Sequence, residues 1–212
     1  MKLTTTTMVT VDGVMQGLGG AHEDRSGGFE RGGWVASLFD DEASTSINQV
    51  YQRADAFLFG RRTYEIFARS WGSAEWRARV KIDLGTSPIA AALNTKPKYV
   101  ASKTLTDPKW SDTTVLSDDL ATAVADLRAN RGGELQVHGS GALIRWLLGN
   151  QLVDEITLFV CPVVLGQGTR LFPETGPDAA LDLVDSRSTP KGVTIQVYRP
   201  TGRPQYATAT AT

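Results

Sequence analysis

The stretch Leu135-Gln136-Val137-His138-Gly139-Ser140-Gly141-Ala142-Leu143-Ile144 constrains this chain more than any other. An apolar strand runs into a glycine-rich turn, and a helix opens directly after it. Such a turn lets bare backbone approach a ligand. The first N–H groups of the helix have no intrahelical partner and point at the same place. A phosphate or pyrophosphate answers that description, and so does a tight turn with no ligand. The other strand ends have to decide between them.

Two of them speak for an anion. The apolar run Ala56-Phe57-Leu58-Phe59 leads into Gly60-Arg61-Arg62-Thr63-Tyr64-Glu65, again a strand, a glycine and a helix. Cations at the positive end of a helix oppose its dipole unless an anion sits between them, although two solvated arginines are the plainer reading. The strand Pro97 to Ala101 ends in Ser102-Lys103-Thr104, a hydroxyl, a cation and a hydroxyl suited to a phosphate.

The remaining pattern places these turns in an alternating α/β chain. Lys2 to Val11, rich in Thr and Val, reads as a strand. From Gly13 to Gly33 a polar loop carries eight glycines, with His22, Glu23, Asp24, Arg25 and Phe29 among them, and closes on Trp34. A loop of that length in a compact chain is functional or disordered, and its aromatics form a pocket wall or anchor it. Asp40, Asp41 and Glu42 open a helix whose buried side is Ile47, Val50, Tyr51 and Ala54. Ser87-Pro88 starts another helix, and Ser117 is expected to cap the one carrying Leu120, Val124 and Leu127. Leu181 to Val184 and Gly192 to Tyr198 read as a late antiparallel pair. The apolar run Ile156 to Val164 reads as a dimer-forming strand or an ordinary central one. The expectation is a single domain over residues 1–200, a mostly parallel sheet with helices on both faces and antiparallel strands at the C-terminal edge, and a disordered tail over 201–212.

Composition bounds the function. A net charge of −1 gives no global pull toward nucleic acid or an anionic membrane. Cys161 is the sole cysteine, so no internal disulfide can form, and no stretch approaches the roughly 20 apolar residues of a membrane span. With no apolar signal-peptide core near Met1, the expected location is the cytoplasm. His22, His138 and Cys161 lack metal-ligand spacing. A serine hydrolase elbow would need glycines where His138 and Ala142 stand, and His138 reads as a core or pocket-lining residue.

Taken together, Thr10-Val11-Asp12-Gly13, Gly60 to Glu65, Ser102-Lys103-Thr104-Leu105, His138 to Gly141, and Pro162 to Gly166 with Leu171-Phe172 resemble the dihydrofolate reductase-like family. The branch they resemble most is the RibD C-terminal type, the reductase of riboflavin biosynthesis. The resemblance covers residues 2 to about 199. It implies a three-layer αβα fold, often dimeric, and a reductase using NADPH. Arg61, Arg62 and Thr63 would hold the pyrophosphate and 2′-phosphate from one side, Ser102, Lys103 and Thr104 the 2′-phosphate from the other. Gly139, Ser140, Gly141, Ala142 and Leu143 would take the pyrophosphate. Asp12, Phe29 and Trp34 would face the substrate, and Asp41 or Asp40 would supply the proton. The substrate would be a pteridine-, pyrimidine- or flavin-like molecule accepting hydride at C=N or C=O. The chain differs from dihydrofolate reductases in Ser140, where they have glycine, in the longer loop before Trp34, and in the displaced acid. The rival reading is a nucleotide-binding, dimerising protein that kept the fold without the chemistry.

Overall fold

The computed structural model describes residues 1–130 and 132–207. Eight strands form one sheet: β1 (Lys2–Thr10), β2 (Ala54–Gly60), β3 (Lys98–Ala101), β4 (Thr113–Leu116), β5 (Glu134–His138), β6 (Glu155–Cys161), β7 (Ala180–Ser188) and β8 (Thr194–Gly202). Their order is β4-β3-β2-β5-β1-β6-β8-β7. The first six in that order run parallel, while β8 lies antiparallel to β6 and β7 antiparallel to β8. Six helices connect or cover them: α1 (Asp41–Gln52), α2 (Arg61–Arg69), α3 (Ala74–Arg79), α4 (Pro88–Thr95), α5 (Leu120–Ala129) and α6 (Gly141–Gly149). None is long and apolar enough to cross a membrane among the described residues.

The apolar runs explain the layers. Alternate residues of β2 face opposite sides of the sheet, and both sides are covered. Phe57 and Phe59 join Ile47, Val50 and Tyr51 of α1, Tyr64 of α2, Leu93 of α4 and Phe159 of β6 in one core. Leu58 joins Val124 and Leu127 of α5, Leu143, Ile144 and Leu147 of α6, and Leu135, Val137 and Ile156 in the other. The result is the three-layer αβα arrangement expected from the alternation.

Several expectations are corrected. The α5 helix is capped by Asp119, whose carboxylate accepts from the Ala121 N–H at 3.1 Å, and not by Ser117. An aspartate one residue from the helix outcompetes a more distant serine. The segment after Gly72, whose sequence allows a short helix or a loop, contains the helix α3, capped by Ser73, which agrees with the first of those readings. The run at Ile156 is not a free edge, because β6 is hydrogen-bonded on both sides, to β1 and β8. Residues 201 and 202 continue β8, and the Tyr206 hydroxyl donates to Asp178 at 3.1 Å. The end of the expected tail, 208–212, lies outside the described residues. Lys98, in the strand read from Pro97 to Ala101, is fully buried. Its Nζ donates to the Leu93 and Lys96 carbonyls at 3.1 and 2.8 Å, closing the end of α4.

The long loop after β1 is held by side chains that reach across it. Asp12 accepts from the Thr10 hydroxyl at 2.6 Å and from the Leu165 and Gly166 N–H groups at 3.1 and 2.8 Å. It thereby joins the end of β1 to the turn after β6. The Thr10 hydrogen bond, followed by those from the two N–H groups, outweighs desolvation and holds the carboxyl at about 2 against an ordinary 3.8. Its depressed value means its stabilisation is present above 3.8 and is lost as pH falls through about 2. Asp12→Ala should lower unfolding free energy by about 2 kcal/mol at neutral pH. Chemical denaturation across the acid range checks this: the gap between variant and wild type should narrow below pH 3.8 and close as pH falls through about 2.

Candidate functional site

The carboxyl ends of β2 and β5 open into a cleft of about 500 Å³. This is where ligands collect in an open parallel sheet. Its floor is Gly60 and the 139–143 turn, α2 forms one wall, and residues 15–18 with Glu23 and Asp24 of the long loop cover it. A larger recess of about 790 Å³ lies at the other end of the sheet, among Lys2, Arg128, Asp154 and Arg199. There Lys2 pairs with Glu155 and Arg128 with Asp154. The helix ends that border it, at Leu148-Gly149 and Arg128, are C-terminal ends, which disfavour anions. The smaller cleft is therefore the stronger candidate.

Its floor is a junction between two helix starts. Gly139 and Ser140 both sit in the left-handed region, at φ 57° and 53°. That conformation costs a serine about 1 kcal/mol, and two bonds offset it. The Ser140 Oγ accepts from the Gly60 N–H at 3.0 Å, and the Ser140 N–H donates to the Thr63 Oγ1 at 3.0 Å. The starts of α2 and α6 are thus stitched side by side. A Cβ on Gly141 would meet the Met15 Sδ at 2.8 Å, so a side chain there would press into the cover.

Those two helices differ from the rest in one respect. Asp40, Ser73, Ser87 and Asp119 cap α1, α3, α4 and α5 with their own side chains. The starts of α2 and α6 have no side-chain cap. Their unpaired N–H groups face the cleft, with the Arg61, Arg62 and Arg145 side chains around them. Arg61 is held by Glu65 at 2.8 Å and by the Thr104 hydroxyl, and Arg62 pairs with Asp24 of the loop. Carboxylates of the protein thus occupy part of the anion-binding capacity.

The structure brings Arg61, Arg62, Thr63, Gly139, Ser140, Gly141, Ala142 and Leu143 together in the cleft. Ser102, Lys103 and Thr104 form the neighbouring turn, where the Ser102 Oγ accepts from the Thr104 and Leu105 N–H groups at 3.2 and 3.0 Å. Arg61 connects that turn to the cleft through Thr104. The expected substrate-facing and acidic residues lie elsewhere. Asp12 is committed to the turn after β6. Phe29 is buried, and Trp34 is buried with its Nε1 donating to the Gln16 carbonyl at 2.9 Å, so both anchor the loop. Asp40 caps α1, accepting from Ala43 N–H at 2.9 Å and from Lys191 N–H at 2.8 Å. Asp41 occupies the exposed first turn of that helix, outside the cleft lining.

The sequence assigns no role to Gln16 or Arg145, and Glu23 and Asp24 stand in it only as members of the long loop. Gln16 is buried and clamps the loop, its Nε2 donating to the Ser26 carbonyl at 3.0 Å and its Oε1 accepting from the Thr169 N–H at 2.9 Å. Burial alone would raise Asp24, but hydrogen bonds from Ser26 and the Arg62 charge hold its carboxyl below the ordinary range. Glu23 is half-buried. Desolvation raises it against the opposing Gly19 N–H bond, and the adjacent Asp24 charge adds to the rise. His138 stacks on Tyr51 at 4.1 Å behind the cleft, and burial pushes it down to about 3, so it is a neutral core residue.

Comparison with known proteins fits this geometry. A solved structure of a putative riboflavin biosynthesis protein from Shewanella sp. PV-4 superposes with a TM-score of 0.70 at 21% identity, covering 95% of this chain and 99% of that one. A pyrimidine reductase-like protein from Corynebacterium diphtheriae gives 0.61 at 15% identity, covering 94% and 91%. At these identities the likeness concerns the fold. Two uncharacterized proteins of Bacillus subtilis (strain 168) are also similar. YyaP is 26% identical over 190 residues, 90% of each chain, and YwjB is 24% identical over 161 residues, 76% of this chain and 83% of its own. The model of the RibD C-terminal domain matches residues 1–195, and the chain belongs to that family.

Proposed function

We propose that this protein is an NADPH-dependent reductase that delivers hydride to a C=N or C=O group of a pteridine-, pyrimidine- or flavin-like molecule, acting in the cytoplasm. The observation that carries this reading is the pairing of two uncapped helix starts in one cleft ringed by arginines. That donor set suits a pyrophosphate-linked dinucleotide: N–H groups for the bridge, and Arg61 with the 102–104 turn for a further phosphate.

When bound, NADPH supplies the hydride. The protein's part is to position it and to keep water out. The Gly139-Ser140 turn lets the ligand approach the backbone, and the 13–33 loop closes the opposite side. Self-association, as the family resemblance implies, would use the β7 edge, where Leu183 and Val184 are exposed, and not β6.

Titration of the protein's own tryptophan fluorescence tests the cofactor reading. NADPH should bind more tightly than NADH, and Arg61→Ala or Lys103→Ala should weaken NADPH about tenfold while changing NADH less. Equal binding of both, or of neither, overturns it. NADPH binding without oxidation by any pteridine, pyrimidine or flavin would favour a non-catalytic nucleotide-binding protein.

The Asp24–Arg62 pair predicts how the loop behaves. Asp24→Asn removes the charge that ties the loop to α2, so trypsin should cut after the exposed Arg25 several-fold faster than in wild type. An unchanged cleavage rate would mean that Gln16 and Trp34 hold the loop by themselves.

A further inference from the structure

Hydride delivery to C=N or C=O also needs a proton at the heteroatom, and the expected donors, Asp40 and Asp41, do not reach the cleft. Among the described residues lining it there is no histidine, cysteine, tyrosine or lysine. The three arginines hold their protons at any working pH. The hydroxyls of Ser140, Thr63 and Thr169 are engaged in the floor and cover, and all three are far weaker acids than a carboxyl. Among the described residues the acidic side chains that line the cleft are Glu23 and Asp24.

These adjacent carboxyls have opposite surroundings. Asp24 Oδ1 accepts from the Ser26 N–H at 3.1 Å and the Ser26 hydroxyl at 2.8 Å and pairs with Arg62. Its negative charge is well satisfied. The Glu23 carboxylate accepts one hydrogen bond, from the Gly19 N–H to Oε2 at 2.8 Å, and has no ion pair among the described residues. Its Oε1 has no hydrogen-bond partner among the described residues. The charged groups lining the same cleft are Asp24 beside it on the loop, Arg61 and Arg62 from α2 and Arg145 from α6, and Arg61 is held by Glu65 and the Thr104 hydroxyl. Arg62 is already taken by Asp24, and Arg145 donates to the Leu171 carbonyl at 2.9 Å. Two adjacent carboxyls so placed are unequal acids: Asp24 gives up its proton more readily, and Glu23 holds its proton more tightly.

We propose that Glu23 is the proton donor of this cleft. Its carboxyl O–H bond breaks as an N–H or O–H bond forms at the heteroatom of the C=N or C=O group, whose carbon takes the hydride from NADPH. The Glu23 carboxylate left behind is reprotonated from solvent when the loop opens. Asp24 acts as a positioning residue: its pair with Arg62 keeps the loop, and so Glu23, over the cleft. This assignment rests on the reductase reading of the same site.

Carbon-13 NMR of the full chain labelled at glutamate carboxyls reads the donor directly, with Glu23→Gln assigning the signal. Gln keeps an acceptor for the Gly19 N–H, so the loop stays in place. The Glu23 midpoint should lie above the ordinary glutamate range, because burial disfavours its charge, and move up further when NADPH closes the cleft. A midpoint within the ordinary glutamate range and unmoved by NADPH overturns the proposal. In NADPH oxidation with 7,8-dihydrofolate as the C=N probe, Glu23→Gln should keep NADPH affinity within twofold. Turnover should fall about a hundredfold, without the wild-type loss of rate as pH rises through the Glu23 midpoint. Wild-type turnover and pH profile in Glu23→Gln would also overturn it. Absence of any NADPH-induced fluorescence change in the wild type would instead sink the reductase reading, so the two failures are distinguishable.

Discussion

Two hydrogen bonds at Ser140 organise the functional end of this molecule. One brings the hydroxyl of a left-handed serine to the last amide of β2, and the other brings its own amide to Thr63 in the first turn of α2. Each uses a group that would otherwise be lost beneath two helix starts. Together they set α2 and α6 side by side with their remaining N–H groups pointing the same way. Glycine at this position would reach the left-handed conformation without strain but would leave the Gly60 N–H without its acceptor. The serine therefore trades a small backbone cost for a rigid connection between β2 and β5, which are neighbours in the sheet.

The cover over that junction is built differently. It contains no α-helix or strand, only a single 3₁₀ turn at Ser26–Gly28, and it depends on side chains that each tie two distant segments. Asp12 joins β1 to the turn after β6, Gln16 joins Ser26 to Thr169, and Trp34 closes back onto the Gln16 carbonyl. Gly168 is part of the same fit: at φ 113° its missing side chain leaves space in which Phe29 and Val14 pack, 2.8 Å from where a Cβ would stand. The loop's base is thus locked to the core. Its outer part, from His22 to Gly28, is held to the cleft chiefly through Asp24 and Gln16. A cover with a fixed base and a tip held by few bonds can admit a ligand without unfolding.

The fold was legible because local signals agreed with one another. Apolar runs bounded by glycine marked β2 and β5, and a Ser-Pro start marked α4. The floor and walls of the cleft were legible for the same reason, since glycine turns and helix-start arginines are local in sequence. The cover was not. Phe29 and Trp34 are large aromatics beside glycines, which describes an anchor as well as a pocket wall, and only packing separates the two. Asp12 and Asp40 carry the carboxylates that a reader seeks for chemistry, yet both accept backbone N–H groups brought to them from more than 150 positions away in the chain. No local pattern reveals such partners.

The same reasoning explains why Glu23 escaped notice. In sequence it is one charge in His22-Glu23-Asp24-Arg25, which reads as a solvated stretch of loop. Its neighbours in space give it meaning. Arg62 could have served either acid, and geometry gives it to Asp24, leaving Glu23 against the cleft with a single amide. The arginine therefore acts twice, once in setting the positive field of the helix start and once in settling which of two adjacent carboxyls keeps its charge. An anionic ligand that drew Arg62 away from Asp24 would raise Asp24 and loosen the loop tip together. Ligand phosphate, loop position and the protonation of the cleft are thus coupled through one guanidinium.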